Sequence, residues 1–411
     1  MRRRAGTGGG EPAVAAQPDR WLVILPLALT AVGLLLVYTS SSILGLSQHG
    51  DAFHYVAKQA GRAVLGLAAF VFLARRDYRR LEKEARWLFL ITLLGLLAMA
   101  VLGAGSEARG AKRWALIPVI GVVFQPTEVA RVTTLVFLSA FLARRGEQVA
   151  SLTRTYLPTL AILGVAAGLV AVQPNLSSAA VLFAAGGFLL WFAGARLVHL
   201  GATVGLGVLG FLAMITKYDY QRERVVSHLQ FLFTGKLDTL GSGWQLDQSL
   251  IALGSGGLVG RGFGRGMQKF LFLPDAHTDF ILGIAGEEGG LLATAGLVAA
   301  FLFLAWRGYR AALGAPDAFG RLLAAGLTSQ LALYAFVNMG VATGILPTTG
   351  LPLPFLSYGG SALVMNLAVA GILVNISAQA DAHGAALPGR RATARPAGRG
   401  RRAQPAWEAL R

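Results

Sequence analysis

The sequence predicts an all-α integral membrane protein: a polytopic bundle of about ten transmembrane helices with a large extracytoplasmic loop between the seventh and eighth spans. Three observations carry this. Of 411 residues, 55% are hydrophobic and only 14% charged, whereas a soluble domain is about 25% charged. The apolar residues recur in runs of about 17 to 25, the length that crosses a ~30 Å hydrocarbon layer. Lys and Arg gather in short segments between alternate runs.

The predicted spans are residues 21–45, 59–75, 87–104, 126–143, 156–173, 176–194, 198–216, 280–306, 321–345 and 357–378. The first, from Trp21, follows Arg2, Arg3 and Arg4 but is too long for a cleavable signal. Ala13-Val-Ala15 lies before the run, the wrong order for a cleavage site. An even number of spans puts both termini on one side. Most of the 37 Lys and Arg then fall there, at Arg75–Arg86, Arg144–Arg154, Arg196, Arg307–Arg321 and in both tails. The positive-inside rule makes that side the cytoplasm. Residues 1–20 and 381–411, rich in Gly, Ala, Pro and Arg, read as disordered basic tails flanking a membrane domain at 21–380. The second tail is expected to rest on anionic headgroups.

A net charge of +17 does not indicate nucleic acid, because the cations form no single stripe with interleaved aromatics. With no Cys, disulfides, thiolate metal sites and Cys nucleophiles are excluded. No internal or inverted repeat is visible, which disfavours alternating-access transport.

The long connection, residues 217–279, carries Trp244, Leu250, Ile251, Phe263 and Phe270–Leu273 among glycines and charges. It is expected to lie on the membrane as amphipathic pieces, with Phe270, Phe272 and Leu273 in the acyl boundary and Arg265 and Lys269 at phosphates. Gly260-Arg-Gly262-Phe-Gly264-Arg-Gly266 lacks the βαβ context of a dinucleotide loop. It reads either as a cationic glycine segment open to an anionic headgroup or as a plain hinge.

Next come Asp275, His277 and Asp279, at the water–membrane boundary before the eighth span. A shielded but ionisable carboxylate suits a general base that takes a proton from an attacking alcohol; the structural alternative for Asp279 is a helix cap. Glu287 and Glu288 follow about 12 Å deeper along a regular helix, where acids are costly and face a partner or a wet cavity. Glu128 and Arg131, three apart, are placed to neutralise each other. Gln125-Pro126 and Gln173-Pro174-Asn175 mark broken helix ends facing one compartment. From Leu346 to Ser361, three prolines and several glycines with apolar filling describe irregular backbone at membrane depth, the wall of a cavity.

These residues resemble the SEDS family (shape, elongation, division and sporulation), the FtsW and RodA peptidoglycan polymerases. The marks are Tyr38-Thr-Ser-Ser-Ser42, Gly110-Ala-Lys-Arg113-Trp114, Gln125-Pro-Thr-Glu128, Gln173-Pro-Asn-Leu176, Gln268 to Phe280, Glu287-Glu-Gly289 and Gly344 to Ser361. Gln268-Lys269-Phe270 before Leu-Pro-Asp-Ala-His-Thr-Asp is similar to the division branch. The resemblance implies a bacterial plasma-membrane glycosyltransferase that polymerises lipid II and acts on undecaprenyl-diphosphate-linked glycan. It implies a class B penicillin-binding transpeptidase and other divisome membrane proteins as partners. The family's essential acid falls on Asp279. The substrate-binding candidates are Lys112, Arg113, Trp114, Gln125, Glu128, Arg265, Lys269, His277, Glu288, Ser357 and Ser361. Asn175 and Arg131 stand where relatives often carry Asp and Lys. No cofactor is demanded by any motif; Mg or Mn is the divalent cation compatible with diphosphate chemistry, although no HExxH or DxD occurs. The competing readings are a lipid II flippase lined by Glu128, Arg131, Glu287 and Glu288, an elongation polymerase, and a non-catalytic scaffold for the transpeptidase.

Overall fold

The structure, a computed structural model, describes residues 17–102, 106–108, 111–117, 122–173, 175–217, 219–237 and 243–386. The tail residues 1–16 and 387–411 lie outside the described residues.

Among the described residues twelve α-helices run in order: α1 Arg20–His49, α2 His54–Arg75, α3 Arg79–Leu102, α4 Pro126–Ala143, α5 Leu157–Val172, α6 Leu176–Phe192, α7 Leu197–Lys217, α8 Asp219–Thr234, α9 Trp244–Ser255, α10 Ile281–Gly314, α11 Ala318–Ala342 and α12 Gly360–Ala386. Among the described residues eight helices are long and apolar enough to cross a membrane, and Leu176–Phe192 and Leu197–Gly210 are shorter apolar helices. Each predicted span overlaps one of these helices. Helix α12 continues to Ala386, beyond the expected start of the second tail.

Two features were not in the sequence reading. The connection from α3 to α4 carries a small antiparallel sheet, β1 Ser106–Ala108, β2 Ala111–Ile117 and β3 Val122–Phe124, in the order β1-β2-β3. The long connection from α7 to α10 folds into α8 and α9 followed by a glycine-rich segment, and α9 packs on α10 and α11.

The core is built on α11 and α12, the most enclosed spans along with α4. Apolar side chains gain nothing by leaving lipid for protein, so close backbone approach and polar contacts hold such bundles together. The α2–α12 seam illustrates this: a Cβ at Gly371 would stand 2.4 Å from the Phe70 carbonyl oxygen, and one at Gly66 would stand 2.6 Å from Leu367 Cδ1. At one end of the bundle polar side chains close the helix termini. Asp317 caps α11 by accepting from the Gly320 amide (2.7 Å), and also accepts from the Tyr78 hydroxyl (2.5 Å) and Arg79 Nε (3.0 Å). Asp19 caps α1 through the Trp21 amide (2.9 Å) and pairs with Arg307. The candidate site lies at the opposite end.

Candidate functional site

A cleft of about 680 Å³ opens among the ends of α1, α2, α4 and α6, the turn before α10 and the irregular segment before α12. Each wall has a local cause. Pro126 at the first position of α4 ends the preceding strand, so Gln125 becomes the N-cap and faces the cleft. Its backbone amide donates to Ser361 Oγ (2.8 Å), tying α4 to α12. Asn175 caps α6 by accepting from the Ser178 amide (3.4 Å), so the amide side chain keeps the capping function that an Asp would have. Pro174 lies outside the described residues.

The segment 346–359 enters the bundle without helix, and its backbone is satisfied by side chains, as membrane depth requires. Asn338 Nδ2 donates to the Leu351 carbonyl (2.8 Å), Gln59 Nε2 to the Ser357 carbonyl (3.0 Å), and Ser357 Oγ accepts from the Leu353 amide (2.9 Å).

Asp279 is half-buried on the cleft wall. The turn that carries it pivots on Asp275 in the left-handed region (φ 54°), which Asp tolerates better than most residues. The Thr278 and Asp279 amides both donate to the Asp275 carbonyl (3.0 and 3.2 Å). The Asp279 carbonyl accepts from Asn338 Nδ2 (2.7 Å), and Gly350 leaves room beside its carboxylate. Helix α10 takes Phe280, not Asp279, as its N-cap. His277 is buried between Tyr55 and Tyr358, with ring centroids 5.1 and 5.4 Å away.

Of the sequence-predicted residues, the cleft brings together Asp279, His277, Lys269, Gln125, Glu128 and Ser361. Ser357 is held in the backbone network above and does not line it. Arg265 is exposed outside it. Glu288 is buried behind it, beside Thr39, the Gly264 amide and Lys269. Lys112, Arg113 and Trp114 lie on β2, and their side chains are outside the described residues.

The expectations for the long connection need correction in two places. Leu273 is 3% exposed and packs in the protein core rather than in lipid, while Phe270 and Phe272 stay exposed. The glycine segment spends amides on protein backbone instead of holding them open to a headgroup. The Arg261 and Gly262 amides donate to the carbonyls of Glu287 and Glu288 (both 3.0 Å), and Leu291 donates to the Gly257 carbonyl (2.9 Å). This backbone-to-backbone seam excludes side chains, since a Cβ on Gly260 would meet the Glu288 carbonyl oxygen at 2.1 Å. It forms where α10 is broken by Gly290, whose φ of 68° and ψ of −165° are open to glycine alone. Glu287 is therefore a staple: its carboxylate accepts from the Met267 and Gln268 amides (2.7 and 3.1 Å) and faces Arg261 at 3.5 Å. Glu128 and Arg131 form the expected pair at 2.8 Å, both almost fully buried. Arg131 also donates to Asn366 Oδ1 (2.5 Å) and lies 4.5 Å over the Tyr334 ring.

Sequence reasoning missed Tyr55, Tyr358 and above all Arg62. Its guanidinium sits 4.7 Å over the Tyr358 ring, and among the described residues its buried Nη1 has no hydrogen-bond acceptor. The only available signal was an Arg three residues from Gln59 near the head of a span. Among the described residues no group of three or more His, Asp or Glu side chains is placed to hold a metal ion.

The cleft thus lies at one end of a bundle of membrane-spanning helices, is walled in part by irregular backbone, and is lined by the Asp279 carboxylate together with Arg62 and Lys269. The FtsW/RodA/SpoVE family model, described as cell cycle protein, matches residues 20–382, and the chain belongs to that family. It is 38% identical over 359 residues to the probable peptidoglycan glycosyltransferase FtsW of Geobacter metallireducens, covering 87% of this chain and 94% of that one. It is 36% identical over 360 residues to stage V sporulation protein E of Bacillus subtilis, covering 88% and 97%. Among solved structures it is similar to a chain of a peptidoglycan synthase complex that coordinates polymerization and crosslinking (TM-score 0.69, 28% identity, 88% and 97% covered). It is also similar to the rod shape determining protein RodA of Thermus thermophilus (TM-score 0.64, 26% identity, 88% and 96% covered).

Proposed function

We propose that the chain is a peptidoglycan glycosyltransferase that joins lipid II units into glycan strands for septal wall synthesis, with Asp279 as general base. The observation that carries this is the placement of the Asp279 carboxylate on a cleft wall that also presents Arg62 and Lys269. Kinship with proteins named as glycosyltransferases supports the reaction class, and the FtsW naming of the Geobacter relative supports the division role.

In the step proposed, Asp279 takes the proton of the GlcNAc 4-hydroxyl of an acceptor lipid II. The oxygen attacks the MurNAc anomeric carbon of the lipid-linked strand as the bond to diphosphate breaks, inverting that carbon. Undecaprenyl diphosphate leaves with the bonding electrons. Arg62 and Lys269 face the negative charge that develops on it, a fixed electrostatic role of the kind that contributes most in water-poor sites. Tyr55, His277 and Tyr358 give a sugar ring an aromatic wall. The membrane is the bacterial plasma membrane, the cleft opens on its outer face and both termini are cytoplasmic. A class B penicillin-binding transpeptidase takes up the strand, and other divisome membrane proteins complete the assembly.

Asp279→Asn tests the assignment. The variant should fold and co-purify with its transpeptidase, yet lose about 10²- to 10⁴-fold of its polymerisation rate on purified lipid II. Strands of normal length and rate would remove Asp279 from the chemistry. Labelled lipid II crossing reconstituted vesicles in both forms, without polymer in either, would favour the flippase reading instead.

A further inference from the structure

We propose that a second cleft, at the far end of α4 from Asp279, binds the phosphate-bearing headgroup of an anionic phospholipid. Helix α4 runs from Gln125 and Glu128 at the first cleft to Phe141 at the second. Its 18 residues span about 27 Å, close to a hydrocarbon thickness, so the two clefts serve opposite leaflets. The second, of about 480 Å³, lies between the first turns of α3 and the last of α4.

Its walls converge four cations, Lys83, Arg86, Arg144 and Arg145, on a floor of Trp87, Phe137 and Phe141. The floor is set by packing: Phe137 stacks on Phe89 at 4.6 Å. Arg145 lies 4.8 Å over Phe141 and Arg86 5.6 Å over Trp87, so both guanidinium groups are held against aromatic rings of the lining. Among the described residues Glu82 is the one acid on the lining, and it faces Arg144 at 3.3 Å. With the Arg144 side chain 65% exposed, that contact is a weak, screened one. A phosphate competing for Arg144 meets an excess of positive charge.

The surface leading away from the cleft selects a lipid over an acidic peptide. Along α3, Trp87, Leu90, Ile91, Leu94, Leu97 and Val101 are all exposed at the three- and four-residue steps that make one helix face. Acyl chains lie along such a strip while the headgroup fills the basic cleft above it, with Trp87 at the depth where Trp is enriched. Assignment to the cytoplasmic leaflet rests on the orientation proposed above; the headgroup site does not depend on which acid performs the transfer.

The test uses the full chain in phosphatidylcholine bilayers doped with cardiolipin, reading retained cardiolipin by native mass spectrometry. Arg86→Gln/Arg144→Gln/Arg145→Gln should weaken retention on the order of a hundredfold, from about fivefold per cation near a membrane surface. The control Arg196→Gln/Arg310→Gln/Arg321→Gln, which neutralises exposed arginines at the same end of the bundle, should change it little. Equal losses from both triples would reduce the site to general surface charge and overturn the proposal. So would displacement of cardiolipin by inorganic pyrophosphate, which would make the ligand a soluble phosphate, or co-purification of an acidic protein in the lipid's place. If the triple variant fails to fold, Arg145→Gln and Trp87→Ala singly should each lower retention severalfold, and unchanged retention in both would equally refute it.

Discussion

Replacing Glu287 by Gln isolates what a buried carboxylate does for a loop twenty residues away. In the native chain its two oxygens accept from the Met267 and Gln268 amides at 2.7 and 3.1 Å, and Arg261 approaches to 3.5 Å. Gln keeps the shape and one acceptor but turns an NH₂ toward one of those amides. A lost bond to a charged group is worth about 1.5–3 kcal/mol. The Arg261 contact, 42% exposed on the arginine side, adds less than about 1 kcal/mol after screening. A local loss of about 2–4 kcal/mol raises the detached population of segment 261–268 by roughly 30- to 1,000-fold. Hydrogen exchange of a peptide spanning 261–270 should therefore accelerate by at least an order of magnitude, while peptides from α11 keep their protection. Polymerisation should fall with it, because Lys269 is delivered to the cleft by that segment. Unchanged exchange together with lost polymerisation would refute the staple and place Glu287 in direct contact with substrate. Unchanged exchange with full activity would show that the bonds hold nothing.

Two other perturbations follow from the same physics. Arg131→Met leaves Glu128 buried without its counter-charge and should cost about 3–5 kcal/mol, seen as a lower melting temperature in detergent; Glu128→Gln/Arg131→Met should recover much of it. Burial first, and then the bond to Asp317 and its charge, push the Tyr78 phenol above its ordinary value of 10.0. The folded state thus holds that proton more tightly than the unfolded one. The contribution is fully present below about pH 10, and stability falls as pH rises beyond it. Tyr78→Phe should flatten that alkaline fall, read as melting temperature against pH, at a cost of about 1 kcal/mol at neutral pH from the lost bond.

The crossing helices were legible because lipid imposes one demand on every residue of such a helix, and long apolar runs answer it. The β1–β3 sheet was not, since three-residue strands carry no periodicity. The ends of α4 and α6 could be read from Gln125-Pro126 and Asn175, whose chemistry is local. The glycine segment was misread because its composition is the same whether its amides await a ligand or are spent on another stretch of backbone. For Glu287 the sequence leaves a partner and a wet cavity equally open, because its partners, Met267 and Gln268, are fixed by a fold that brings α10 back against the preceding loop. Asp279 stood out because Pro274, Asp275 and His277 mark a turn at a span entrance. Arg62 did not, for its significance depends on Tyr358, nearly 300 residues away.

The break at Gly290 gives α10 a mechanical character that a continuous span would lack. On one side of it the Glu287 and Glu288 carbonyls accept from the Arg261 and Gly262 amides, and on the other the Leu291 and Leu292 amides donate to the Gly257 and Leu258 carbonyls. Both sides of the break are thus anchored to one loop, so any side chain forced in at Gly290 would disturb the Glu287 staple and the glycine seam together.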